Sequence, residues 1–184
     1  PKTNLDFGDT PVLLQHFEGW VVQSPQLPFA QDEMLLMDFT VPQQNATRFM
    51  YVLPFSQTQA LFEYTLFSPN ILDKHEYEQE IRAYLSSKNI TDYTIQKTES
   101  GVIPMTVYPF WKANTKNILH IGTAGGWTKP GTGYTFLNAV PLAAKLARDV
   151  KNHNTDFTHF FKTNRFLWYD RLLIDVLYRD NASG

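Results

Sequence analysis

Two acidic residues stand in the middle of apolar runs, where a carboxylate is out of place. Glu63 falls within Ala60-Leu61-Phe62-Glu63-Tyr64-Thr65-Leu66-Phe67, and strand alternation puts it on one face with Leu61, Thr65 and Phe67. Asp38 falls within Leu35-Leu36-Met37-Asp38-Phe39. Apolar and aromatic surroundings disfavour the charged form, so both pKa values are expected to rise. A rise of about two units corresponds to roughly 2.7 kcal/mol and leaves a useful fraction protonated near neutrality. Such an acid can hand a proton to a weak base. The alternative for Glu63 is a solvent-facing position on a half-exposed sheet.

A second grouping suits ligand contact. Ile118-Leu119-His120-Ile121 runs into Gly122-Thr123-Ala124-Gly125-Gly126, and five of the nine glycines fall between Gly122 and Gly133. Phe136, Val140, Ala143, Ala144, Ala147 and Val150 then recur at helical spacing. Strand, glycine turn and helix is how an α/β protein brings backbone N–H groups and a helix N-terminus to an anionic or dipolar ligand. Lys129 is followed by Pro130, not by Ser or Thr, so this is no nucleotide-hydrolase phosphate loop. No Gly-x-Gly-x-x-Gly follows an expected strand either. A tight loop with a helix cap and no ligand is the alternative.

Other chemistries are excluded cheaply. His75-Glu76 lacks the second His of a His-Glu-x-x-His site, and His153 with His159 lacks an acidic third ligand, so no metal is expected. There is no Gly-x-Ser-x-Gly elbow and no Cys, hence no disulfide and no thiolate. A net charge of −2 gives no bulk attraction for nucleic acid. Aromatic residues make up 15% of the 184, which suits a large apolar ligand or simply an aromatic core. No run of 18 apolar residues occurs. The chain opens on Pro1 without Met or signal peptide, consistent with a piece of something longer.

The elements that must position these residues are mixed. Val12 to Gln23 reads as a strand with a bulge at Gly19, Met34 to Val41 as a second, Arg48 to Phe55 as a third and Ala60 to Phe67 as a fourth, in an antiparallel meander. Asp73 caps a helix from Lys74 to Ser87, with Glu76 completing a capping box, Tyr77, Ile81, Tyr84 and Leu85 on its inner face, Glu78 and Arg82 paired outside, and Asn89 as its stop. Tyr93 to Thr98 and Val102 to Tyr108 read as a strand pair turning at Ser100-Gly101. The helix after the glycine turn runs to about Lys151 with Pro141 inside it, and Asp156 to Arg179 reads as one long aromatic-faced helix.

With these pieces in view, the chain resembles the C-terminal half of flavin-dependent lycopene cyclases of the bacterial β-cyclase type. The resemblance rests on Gln15-His16-Phe17-Glu18-Gly19-Trp20, Leu36-Met37-Asp38-Phe39, Tyr51-Val52-Leu53-Pro54-Phe55-Ser56 and Leu61-Phe62-Glu63-Tyr64-Thr65. Gly101-Val102-Ile103-Pro104-Met105-Thr106, the glycine stretch through Tyr134, and Arg165-Phe166-Leu167-Trp168-Tyr169-Asp170-Arg171-Leu172-Leu173 carry it to the end of the chain. It implies an α+β fold. Residues 1–116 would be an antiparallel substrate-binding sheet, 117–150 the returning strand and helix of a hydroxylase-like FAD-binding domain, and 151–184 a helical tail. The N-terminal Rossmann segment of that domain is missing, so the piece alone is expected to be inactive and to bind FAD weakly or not at all.

The implied reaction is redox-neutral ring closure at the end of lycopene or a related acyclic carotenoid, with reduced FAD steadying a cation. Glu63 matches the family's acidic strand motif and would be acid and base. Tyr64 stands where related motifs carry a second acid. Asp38 is the second catalytic candidate, as a holder of the pocket or loop. Gly122, Thr123, Gly125, Gly126, Lys129, Thr132 and Gly133 would line the flavin, although Gly122-Thr123 stands where hydroxylases carry Gly-Asp. A carotenoid substrate implies contact with a membrane surface, and a cytoplasmic enzyme peripheral to the inner membrane. A prenyl-chain reductase or hydroxylase of the same fold, or a non-catalytic apolar-ligand-binding module, are the alternatives.

Overall fold

A computed structural model describes residues 6–25, 27–161 and 165–181. The chain divides into two compact units, one of Leu14–Val102 with Asp180 and Asn181, the other of the residues up to Leu13 with Ile103–Arg179. The architecture is mixed α and β with an antiparallel sheet.

The first unit is a five-stranded sheet carrying one helix. Its strands are β1 (Leu13–Gln23), β2 (Leu35–Asp38), β3 (Thr47–Pro54), β4 (Gln59–Ser68) and β5 (Thr94–Met105), in spatial order β2-β3-β4-β1-β5. The meander expected for the first four strands holds for β2, β3 and β4 only. β1 pairs antiparallel with β4 instead of β2, because residues on both of its faces are buried and it belongs inside the sheet. Helix α1 (Lys74–Ser87) buries the predicted Tyr77, Ile81, Tyr84 and Leu85. They pack with Trp20, Val22, Met50, Val52, Phe62, Tyr64 and Leu66, the even-numbered positions of the strands. Asp73 N–H donates to Glu76 at 2.9 Å in the capping box. Asn89 ends the helix with a left-handed φ of 59°. Arg82 lies over the Trp20 ring at 4.8 Å, and Glu78 takes Lys74 as its partner.

A buried histidine joins helix to sheet. His16 Nε2 meets Ser68 Oγ at 2.8 Å and Nδ1 meets the Tyr77 hydroxyl, which itself accepts from Leu72 N–H. Burial holds the imidazole down at about 4, so it is neutral. With Tyr77 O–H donating to Nδ1, Nε2–H is the donor to Ser68, whose hydroxyl donates to the Asn70 carbonyl.

Four sequence expectations give way to packing. Gly19 makes no bulge, and β1 runs in unbroken register with β4 from Leu14↔Ser68 to Gln23↔Gln59. Ser100-Gly101 makes no turn, and β5 is one continuous strand. The Phe17 ring lies over Gly101, where a Cβ would stand 2.6 Å from its Cζ. Ile118–Ile121 forms no strand, because no described strand pairs with it. Among the described residues the expected long helix from Asp156 forms only over α3 (Phe166–Arg179). Phe160 stacks on Trp127 and Phe161 on Trp111 at centroid distances of 6.2 and 5.0 Å, which holds that stretch out of the helical period. Helix α2 (Phe136–Lys151) runs as expected through Pro141, yet buries none of its residues.

Gly101→Ala is expected to destabilise the chain by about 1–3 kcal/mol through overpacking against Phe17. Adding Phe17→Ala should cancel that increment in a double-mutant cycle followed by urea unfolding. An additive pair would show that the ring does not depend on the bare Cα.

Candidate active site

Glu63 sits at the centre of β4, in the cross-strand row Gly19↔Glu63↔Tyr51. Its face is the one opposite α1, shared with Leu61, Thr65 and Phe67 as alternation predicts. The residue is half-buried between neighbours that are buried. Thr65 Oγ1 donates to Glu63 Oε1 at 3.1 Å. Burial pushes the carboxyl up to about 7. The Thr65 bond favours the charged form and works against this, whereas Glu99 adds to it by its charge and by accepting from the protonated Glu63. A carboxylic acid in this state is both populated and willing to give up its proton near neutrality.

Glu99 escaped the sequence reading. It lies on β5, next to β1 in the sheet, and its side chain crosses the bare Cα of Gly19. An added Cβ at Gly19 would stand 3.1 Å from Glu99 Cγ and 3.4 Å from its Oε1. A glycine inside a strand marks either a bulge or a close approach. The second possibility was the signal available.

Aromatic rings dominate the rest of this face. Phe49 packs edge-on against Tyr51 at 5.1 Å and against Phe67 at 5.5 Å. Phe17 follows Gly19 by alternation along β1. The π-faces of such rings attract positive charge.

Asp38 corrects an expectation. Burial tends to raise its pKa, but the Thr40 hydroxyl and the Tyr84 phenol, each donating at 2.7 Å, outweigh it, with the Thr40 amide at 2.9 Å and Lys88 at 3.6 Å. The carboxylate is therefore held below its ordinary value, not above it. Tyr84 is pushed up in return, first by burial and then by the hydrogen bond and charge of Asp38. Asp38 pairs with Met50 and bonds to α1, so it faces the helix side of the sheet, opposite Glu63. The two acids are not brought together.

The glycine stretch lies in the other unit. Gly122–Gly125 forms a single 3-10 turn, and Gly122, Gly126 and Gly133 take positive φ of 60°, 72° and 72°. Gly125 is buried, with its Cβ position 2.1 Å from the His120 carbonyl oxygen. The amides of Gly125, Gly126, Thr132 and Gly133 donate within the turn, to Ile121, Thr123, Lys129 and Lys129 respectively. Thr123, Thr128 and Thr135 hydroxyls form a chain at 3.0 and 2.9 Å. Lys129 donates to Asp170, a buried carboxylate lying where Gly131 lacks a Cβ. A cavity of about 480 Å³ opens beside this pair, lined by Thr128, Leu142, Phe160, Phe166 and Leu167. On the outer side of the turn Thr123 and Ala124 are exposed, and nothing stands within 4 Å of the Cβ position of Gly122.

Comparison with known proteins points one way. The family model described as lycopene cyclase protein matches residues 3–171. A lycopene beta-cyclase of Pantoea ananas is 32% identical over 138 residues, covering 71% of this chain and 36% of that protein. One from a Paracoccus strain is 30% identical over 138 residues, covering 72% and 34%. A chloroplastic neoxanthin synthase of Solanum tuberosum is 28% identical over 144 residues, covering 72% and 28%. The chain thus spans about a third of the length of the relatives it matches. Among solved structures, a geranylgeranyl bacteriochlorophyll reductase-like protein from Thermoplasma acidophilum shares the fold, with a TM-score of 0.56 at 12% identity over 96% of this chain and 41% of that one.

The raised pKa of Glu63 has a stability consequence. Below its ordinary 4.5 the carboxyl is protonated both folded and unfolded, so burial exacts no ionisation penalty. Between 4.5 and about 7 the unfolded chain ionises first, and the folded state loses stability until both are charged. Glu63→Gln removes that loss. The variant should gain on the parent by on the order of 2 kcal/mol between about pH 4 and about pH 8, after solvent screening. Urea unfolding at both pH values checks it, and a gap that does not change with pH would contradict the raised value.

Proposed function

The chain belongs to the lycopene cyclase family, and from that membership we propose that it carries the proton-transferring part of a carotenoid cyclase. The observation that carries the reading is Glu63, a half-buried acid poised near neutrality on an aromatic face of the sheet. Glu63 gives its proton to the terminal double bond of an acyclic carotenoid, breaking O–H and forming C–H. The neighbouring double bond closes on the tertiary cation, making the ring C–C bond. A ring C–H then breaks, its electron pair becomes the ring double bond, and the proton returns to the carboxylate. Nothing is oxidised or reduced. Phe17 and Tyr51, on the same face of the sheet as Glu63, supply aromatic surface for the developing charge, and the buried Leu61 and Phe67 keep water away. Asp38 holds β2 against α1 through Tyr84 and transfers no proton in this reading.

Reduced FAD, which the family resemblance implies, would contribute negative charge that steadies the cation. The open side of the turn suits it. Gly122 and Thr123 can meet a planar group closely, while Gly125, Gly126 and Gly133 shape the turn from within and the Thr132 amide ties its far end to Lys129. Lys129 would act through its pair with Asp170 and not as a free ammonium.

In a lycopene-accumulating host expressing the complete gene, Glu63→Gln should lower cyclised product by at least about 100-fold, the usual worth of a general acid, while flavin content stays that of the parent. Unchanged product would overturn the role. Consumption of reduced flavin in step with product would instead mark a reductase of the same fold.

The product and substrate are lipids, so we place the protein at the cytoplasmic face of the inner membrane. Among the described residues no helix is long and apolar enough to cross a bilayer. Helix α3 exposes Trp168, Tyr169, Leu172 and Val176, side chains suited to lying in the interface. Trp168→Ser with Tyr169→Ser should cut co-sedimentation with anionic liposomes several-fold, and undiminished binding would remove α3 from the membrane contact.

A further inference from the structure

We propose that Glu99 is the proton-sharing partner of Glu63, the two carboxyl groups holding one proton between them across the missing side chain of Gly19. The inference rests on the reading of Glu63 as the acid of the reaction. Its ground is the order of the strands. β1 lies between β4 and β5, and Gly19 is the β1 residue directly opposite Glu63. Neighbouring strands stand about 4.8 Å apart, so β5 and β4 are separated by roughly twice that, and side chains on them meet only by leaning over β1. Any side chain at Gly19 would block that path. Glu99 leans across it, with Cγ 3.1 Å and Oε1 3.4 Å from the place a Cβ would occupy.

The glycine is needed there for space alone. Its φ lies outside the left-handed region, and β1 keeps register through it, so a larger residue would fit the backbone. What it would not fit is Glu99. Leu61 Cδ1, 3.2 Å from the same point, closes the other side and confines the carboxyl to the gap.

The charged and titratable groups facing the pair are few. β1 presents Gln15, Phe17, Gly19 and Val21, none of them ionisable, and β3 presents the Tyr51 phenol. β4 presents Glu63 itself beside Thr65, and on β5 Lys97 stands two residues before Glu99 and is exposed. Thr65 already donates to one oxygen of Glu63. Glu99 is the further side-chain hydrogen-bond partner of Glu63, and two carboxylates within hydrogen-bond reach resist ionising together.

This arrangement serves both halves of a redox-neutral cyclisation. Before reaction, burial and then the charge of Glu99 favour the protonated form of Glu63. Once Glu63 has protonated the terminal double bond, two carboxylates confront the cation. They stabilise it and form a stronger base than either alone. The ring proton then returns to the pair, which regains its starting state with no other donor or acceptor. Glu99 acts through Glu63 and is a positioning residue.

The test is a carboxyl titration of the chain labelled with glutamate bearing carbon-13 at Cδ, read by NMR in the parent and in Glu99→Gln. The Glu63 midpoint, near 7 in the parent, should fall by roughly one unit or more in the isosteric variant. Gly19→Ala, which displaces Glu99 without touching its charge, should lower it too. In the complete enzyme the alkaline limb of the cyclisation pH profile should move down by the same interval in Glu99→Gln. A Glu63 midpoint unmoved by Glu99→Gln overturns the proposal, whatever the activity. A midpoint that moves while Glu63→Gln still makes rings upholds the shared proton and rejects the catalytic reading.

Discussion

Everything at this site depends on denying water to a carboxyl group while leaving its proton accessible. A strand interior surrounded by leucine, phenylalanine and threonine denies the water, and the cost of ionising there lifts Glu63 to about 7. Burial alone would go further and bury a useless acid. Thr65 offsets part of the rise by donating to the charged form, whereas Glu99 restores part of it. The balance lands near neutrality, where the acid is both present and reactive. A carboxyl much higher would hold its proton too tightly, and one much lower would have no proton left to give.

The sheet separates stability from chemistry by strand alternation. Its even-numbered residues face α1 and build the core around Phe62, Tyr64 and Ile81. Two polar residues on that side are tied off against helix or sheet. His16 is neutral between Ser68 and Tyr77, and Asp38 is charged between Thr40 and Tyr84. Both depart from their ordinary pKa values, yet each is fully partnered and spends its hydrogen-bonding capacity on holding neighbours. The odd-numbered side retains an acid whose second oxygen and proton are shared with another acid. Perturbation by itself therefore does not identify the functional group. The partner does, because a partner that favours one charge state leaves nothing to transfer.

Local signals were readable wherever a residue's neighbours in sequence decide its state. The alternation Phe49, Tyr51, Leu53 gave β3, the capping pair Asp73 and Glu76 with the stop at Asn89 gave α1, and the period of two put Glu63 with Leu61 and Thr65. Readings failed where a distant residue decides. Asp38 looked like a raised acid among hydrophobics, but the Thr40 hydroxyl two residues on and the Tyr84 phenol, 46 residues away, both stabilise its charge. Gly101 looked like a turn because Phe17 was invisible to it, and Gly19 looked like a bulge because Glu99 was. Ile118–Ile121 had the composition of a strand and lacked a partner among the described strands. Strandedness is a property of a pair, and apolar composition supplies only half of it.

The glycines unite these misreadings. Gly19, Gly101, Gly125 and Gly131 have φ outside the left-handed region, and each gives its missing Cβ volume to another group: Glu99, Phe17, the His120 carbonyl and Asp170. A turn glycine and a space glycine are identical in sequence and opposite in meaning, since the first bends the chain and the second admits a neighbour. Two of the four admit a carboxylate. In both places the acid is drawn toward a partner it could not otherwise reach, Glu63 in one unit and Lys129 in the other. The pairing with a cation makes Asp170 a structural strut. The pairing of Glu63 with a second acid adds to the rise in its own pKa instead, because like charges at close range favour a proton between them. The same backbone device thus yields an anchor or a proton store, and the sign of the charge opposite decides which.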